Sequence, residues 1–273
     1  MLEGKFNRLF IIKLICMLAF YFSACGRSPD ASDPANTQPS SEKRGQEIVA
    51  EFLKRDASPF RKIRVRFTIS TEDEPQKIYE IDNWRRQTTD ATTTLSQIVK
   101  PAEDSDLGSL TLEPKGAPSI VTTYASSRGD FRETDTKKMF FGGLTAGELL
   151  GEWYKFDFRL TSEREQGGIH GFEVEGKLKQ GSESAVSRSV MFFRADNYFP
   201  VELHFFDAMG REIRSYRVTG LKESGGHVYA VRTEVENPVY KAKIVIEFLS
   251  VEYPQHLDDG FFSREKLRAF ARQ

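Results

Sequence analysis

From Ile63 onward the chain alternates apolar and polar residues with a period of two. Ile63, Val65, Phe67 and Ile69 alternate with Arg64, Arg66 and Thr68. That is the pattern of a strand with one buried and one wet face. Comparable segments follow at Lys77–Thr88, Thr92–Lys100, Ser109–Pro114 and Ser119–Ser126. The second half repeats the pattern. Phe156, Phe158 and Leu160 oppose Lys155, Asp157 and Arg159; Phe172, Val174 and Leu178 oppose Glu173, Glu175 and Lys177; Val201, Leu203 and Phe205 oppose Glu202 and His204. Asp207-Ala208-Met209-Gly210 reads as a hairpin turn, and Arg211–Thr219, Val228–Asn237 and Lys241–Tyr253 continue the meander. Parallel pairing needs crossovers longer than these gaps, so the sheet is antiparallel. About ten strands in one sheet must twist and curl. The expected fold is α+β: a large curved antiparallel sheet forming an unclosed β-barrel, with short helices against its concave face.

Three helices are expected. Gln46–Arg55 carries Ile48, Val49, Phe52 and Leu53 at helical spacing, with charged residues opposite. Thr145-Ala146-Gly147-Glu148 has capping-box spacing, which places a short helix over Ala146–Trp153. Ser263 caps a last helix carrying Leu267 and Phe270.

Residues 1–24 read as a secretory signal: Lys5, Arg8 and Lys13, then the apolar run Leu14–Phe22, then small residues. The run is shorter than the roughly 20 residues that a spanning helix requires. Cys25 directly after Ser23-Ala24 makes the segment resemble a bacterial lipoprotein signal, with Cys25 the lipidated first residue of the mature chain. Phe22 stands where that motif usually has Leu. The alternative is an ordinary signal cut near Ala24, with Cys25 incidental. Residues 25–44 are polar and rich in Ser, Pro and Asp, a flexible tether. Residues 45–273 form the folded domain. Gly26 after the cysteine points to the outer membrane, with the domain in the periplasm.

Only one cysteine remains after the signal, so no internal disulfide is available. The net charge of −1 gives no basic excess of the kind nucleic acid requires. His170, His204, His227 and His256 show no metal-ligand spacing. Ser263-Arg264-Glu265-Lys266 matches Ser-x-x-Lys, but its companion motifs are missing and helix capping accounts for Ser263. Arg128-Gly129-Asp130 fits a turn between strands. No nucleophile, acid pair, metal set or cofactor motif stands out, so an enzyme is not expected. Arg61, Lys62, Arg64 and Arg66, with Arg85 and Arg86, form a basic cluster that reads as a solvated face or as a contact for anionic headgroups.

Several stretches resemble the LolA-like outer-membrane lipoprotein-sorting proteins. These are Glu148-Leu149-Leu150 with the strand Tyr154–Leu160, the pair Phe192-Phe193, and Pro200-Val201-Glu202-Leu203-His204-Phe205-Phe206-Asp207 with Gly210. The ending Gly260-Phe261-Phe262 belongs to the same pattern. The resemblance implies an unclosed barrel around an apolar cavity with helices as a lid. It implies acyl chains of lipids or lipoproteins as cargo, a membrane transporter as partner, and the membrane itself through lipidated Cys25. The chain holds 22 Phe against 2 Trp, so large rings dominate the buried side. Phe156, Phe158, Phe192, Phe205, Ile246 and Phe248 are the candidates for the concave, ligand-binding side. Alternation marks the buried face but not its packing density. The rings therefore either line a cavity, as in a carrier, or fill the interior, as in an envelope scaffold or stress-sensing module.

Overall fold

The computed structural model describes residues 39–54, 58–134, 139–140, 143–145 and 153–271. The signal, Cys25 and most of the tether lie outside the described residues, as does nearly all of the expected helix over Ala146–Trp153. Trp153 itself opens a single 3-10 turn, Trp153–Lys155.

The first element is helix α1 (Ser41–Lys54). It starts before residue 45, inside what the sequence reads as tether. Ser41 to Gln46 contains no large apolar residue, so no periodicity announces the first turn. Six strands follow: β1 (Phe60–Thr71), β2 (Lys77–Gln87), β3 (Ala91–Lys100), β4 (Leu107–Pro114), β5 (Ile120–Ala125) and β6 (Asp130–Thr134). A small separate ribbon pairs β7 (Met139–Phe140) with β8 (Leu144–Thr145). The second run is β9 (Phe156–Gln166), β10 (Ile169–Leu178), β11 (Arg188–Arg194), β12 (Pro200–Phe206), β13 (Glu212–Ser224), β14 (His227–Asn237) and β15 (Ala242–Glu252). Helix α2 (Arg264–Phe270) is the last described element. Ser263 caps it as expected, its Oγ accepting from the Lys266 amide at 3.2 Å. Gly210 of the expected hairpin sits at φ 76°, where a residue without Cβ is favoured.

Among the described residues, thirteen strands form one antiparallel sheet in the order β6-β5-β4-β3-β2-β1-β15-β14-β13-β12-β11-β10-β9. Each half is a meander, and the two halves join where β1 pairs with β15. The edges are β6 and β9, which do not pair with each other, so the sheet is unclosed. This is the α+β architecture that the alternation predicts, with more strands than the expected ten.

Successive side chains alternate across the sheet. One face, here the first face, carries Val65, Phe67 and Ile69 of β1 beside Val235 and Ile244. Register carries this face outward through Tyr216, Leu203, Met191 and Val174 to Leu160. There Ile48 and Val49 of α1 pack on Phe158, Phe172, Val174, Met191 and Phe193. The opposite, second face holds a cluster at the far end of the sheet: Leu95 and Tyr124 with Trp84, covered by Leu267 and Phe262. Gln97 Nε2 ties the end of α2 to β3 by donating to the Phe270 carbonyl at 2.9 Å. The two helices therefore lie on opposite faces. Trp84 and Leu95 are register partners whose strands turn their other face to the first-face core, so a helix must cover them from behind.

Candidate functional site

Three sets of side chains divide the first face. Under α1 the packing is complete: Phe158 is 4 % exposed and Phe193 is fully buried. Phe52 meets Trp153, Phe193 and Phe199 edge-on. Phe156 is half-buried at the border of this cluster. At the centre lies an apolar band on β1, β2, β13, β14 and β15. Leu144 of the β7–β8 ribbon is seated on it. The ribbon is fixed by Arg214, which is buried and donates to the Gly143 carbonyl at 2.6 Å. Tyr79, Ile81, Tyr216, Ile246 and Phe248 of the band remain half-buried. Phe205 meets Tyr216 edge-on, and Tyr229 stacks on Phe248.

A cavity of about 370 Å³ opens at one end of this band. Its floor is Ile69 and Tyr79, and its walls include Glu72, Lys77, Tyr240 and Lys241. Ion pairs Lys241–Glu72 and Lys77–Glu74, both at 2.6 Å, brace the two hairpins around it. Its volume falls in the range of small-molecule sites.

The third set is polar. Beyond Ile63 the first face carries Arg61, Asn83, Arg85 and Glu113. The Asn83 side chain donates to Ser96 Oγ at 2.9 Å. Burial pushes the Glu113 carboxyl up to about 7, against the opposing pull of the Arg85 and Arg61 charges.

Five of the six expected ring-side residues share the first face: Phe156, Phe158, Phe205, Ile246 and Phe248. They fall into different sets, with Phe156 and Phe158 beneath α1 and Ile246 and Phe248 in the central band. Phe192 lies on the second face, a correction to the sequence reading. Its register partners are Glu173 and Glu202, and the Arg164 guanidinium covers its ring at 5.2 Å. Met191, Phe192 and Phe193 are all buried, so alternation gives no parity there. The residue on the first face is Phe193. Val65 and Phe67, alternating positions of the sequence, belong to the band, and so does Ile81.

The basic cluster also divides by face. On the second face, Arg64 makes a two-pronged pair with Asp82, both contacts at 2.6 Å. Arg66 pairs with Glu80 at 2.7 Å. His204 bridges Glu202 and Glu212 there, at 3.2 and 3.1 Å. Among the described residues, no group of three or more His, Cys, Asp or Glu is placed to hold a metal ion.

Solved structures share this arrangement. A DUF1329 family protein from Desulfovibrio piger superposes with a TM-score of 0.78 at 18% identity, covering 84% of this chain and 100% of its own. A putative outer membrane lipoprotein-sorting protein domain from Vibrio parahaemolyticus gives 0.76 at 13% identity, covering 83% of this chain and 99% of its own. A LolA superfamily protein from Nitrosomonas europaea gives 0.65 at 13% identity, covering 81% and 98%. No curated protein sequence matches the chain significantly. A family model described as "Uncharacterized protein" matches residues 90–269, more than half of the chain. The chain belongs to the family which that model describes, and its fold is the LolA-like fold that its sequence resembles.

Proposed function

We propose that this protein binds the acyl chain of an envelope lipid or lipoprotein along the central band of the first face. It does so from the periplasmic side, tethered to the outer membrane by lipidated Cys25. The observation that carries this reading is the band itself. Ile81, Ile246 and Phe248 stay half-buried in the middle of a sheet whose ends are sealed by helices, and a cavity opens at the band's end. Each CH₂ that such a surface removes from water contributes about 0.8 kcal/mol. A carrier must also release its load, and an apolar band without a fixed polar lock suits that. The role is binding and handover, with a membrane transporter as the partner that loads or unloads it, rather than catalysis. The similarity of fold to a putative lipoprotein-sorting domain supports the reading.

One experiment tests anchor and cargo together. Cells producing the wild type and Cys25→Ser are fractionated, and the purified proteins are extracted for lipid mass spectrometry. The serine variant should move to the soluble periplasm and still carry lipid. A variant that stays with membranes removes Cys25 as the anchor. Protein from both sources that is free of lipid favours the filled scaffold, in which Leu144 simply completes the core.

A further inference from the structure

The second face neutralises its cations almost everywhere. Arg64 pairs with Asp82, Arg66 with Glu80, Arg159 with Glu175 and Arg164 with Glu173. Helix α2 departs from that pattern. Arg264, Lys266 and Arg268 rest on rings instead of carboxylates. The Arg264 and Arg268 guanidinium groups lie over Phe131 at 5.5 and 5.1 Å, and Arg268 also lies 6.0 Å from the Tyr124 ring. Lys266 Nζ lies over Phe261 and Phe270 at 5.1 and 4.6 Å. Among the described residues, none of the three cations has an ion pair. Glu133 shares this face of β6 with Phe131 and pairs with neither arginine. Like charges four residues apart on a helix repel, and Glu265 is the single acid of α2. A ring face meets a cation from one side only, so the outward N–H groups stay open to an anion. The cations also sit on both flanks of α2. Phe131 belongs to β6, whereas Phe261 and Phe270 pack against Trp84 of β2. Such a spread suits an extended charged surface better than a single small anion.

We propose that the α2 end of the second face docks on an anionic phospholipid surface through Arg264, Lys266 and Arg268. The chain as a whole carries −1, so the attraction must come from this local patch. The choice of a membrane over an acidic protein rests on the anchor proposed at Cys25. Residues 25–40 lead from that anchor to α1, a reach of at most about 55 Å. Docking would orient the tethered domain and leave the first face, on the other side of the sheet, open to its partner.

The test uses the chain from residue 25 onward with Cys25→Ser. It contains every described element and has no acyl group to hold it, so failure of the docking surface and failure of the anchor remain separable. The protein is sedimented with vesicles of phosphatidylcholine alone, or with about one third phosphatidylglycerol. Binding should appear on the anionic vesicles only and weaken as salt rises from roughly 0.05 to 0.3 M. The triple variant Arg264→Gln, Lys266→Gln, Arg268→Gln should bind roughly a hundredfold more weakly, about fivefold for each cation removed. The double variant Lys43→Gln, Lys222→Gln removes cations from α1 and β13 and should bind as the wild type does. Low-millimolar phosphate at matched ionic strength should change binding by less than about twofold; displacement would assign the patch to a free anion instead. Equal binding to both kinds of vesicle overturns the proposal, even if the triple variant fails to fold. No binding to either overturns it in favour of an acidic protein surface. A folded triple variant that keeps its affinity, or a double variant that loses as much as the triple, also overturns it.

Discussion

Two first-face aromatics that look alike in the sequence do different work. Phe158 is 4 % exposed beneath Ile48 and Val49, whereas Phe248 is half-buried in the central band. Phe158→Ala should cost about 3–5 kcal/mol of stability, because it leaves a cavity under α1. Phe248→Ala should cost much less; paired urea denaturation curves check the contrast. Glu113 gives a second residue-scale expectation. Burial holds its folded-state pKa at about 7, above the ordinary 4.5. The folded state thus binds this proton more tightly than the unfolded state. The stability this contributes is full below pH 4.5 and is lost as pH rises through 7. The melting temperature of Glu113→Gln should therefore be less pH-sensitive than that of the wild type across this window. Parallel pH profiles would contradict the assignment. At this scale the sequence revealed which positions alternate, but not how tightly they pack. It also misplaced Phe192, because Met191, Phe192 and Phe193 are buried on both faces and break the period.

The helices show what periodicity can and cannot reveal. α1 was legible from Ile48, Val49, Phe52 and Leu53, but its start was not, because Ser41 to Gln46 holds no large apolar residue and the helix docks there through Gly45. A Cβ on Gly45 would sit 2.6 Å from the Arg159 backbone. Gly45→Ala raises intrinsic helix propensity by about 1 kcal/mol, yet should lower stability by pushing α1 off β9. Increased hydrogen exchange in α1 and β9 of that variant checks this; slower exchange would show that the helix has room. For α2, Ser263, Leu267 and Phe270 marked the element, but the face it covers was hidden. That face follows from the pairing of Trp84 with Leu95, a register no local pattern states. The arginine cluster is similar: β2 sets Arg85 across from Arg61 and Asp82 across from Arg64, a register that no local pattern states.

Across the whole molecule, one sheet serves two purposes. Its outer strands are closed over by helices, α1 on the first face and α2 on the second, and these regions provide the stable frame. The middle, where β1 meets β15, keeps an apolar band whose cover is the Leu144 ribbon rather than a described helix. A LolA-like fold was recognisable from the order and spacing of strands, because alternation and turn residues survive where identity is low. The position of the central apolar band was not, since it depends on which strands the helices leave uncovered. Photo-crosslinking in cells tests that division directly. A benzophenone side chain replaces Phe248 in one strain and Phe192 in another. The account predicts crosslinks to acyl lipid or lipoprotein from position 248 and none above background from position 192. Equal labelling at the two positions, or none at 248, would contradict the claim that the central band holds the chain.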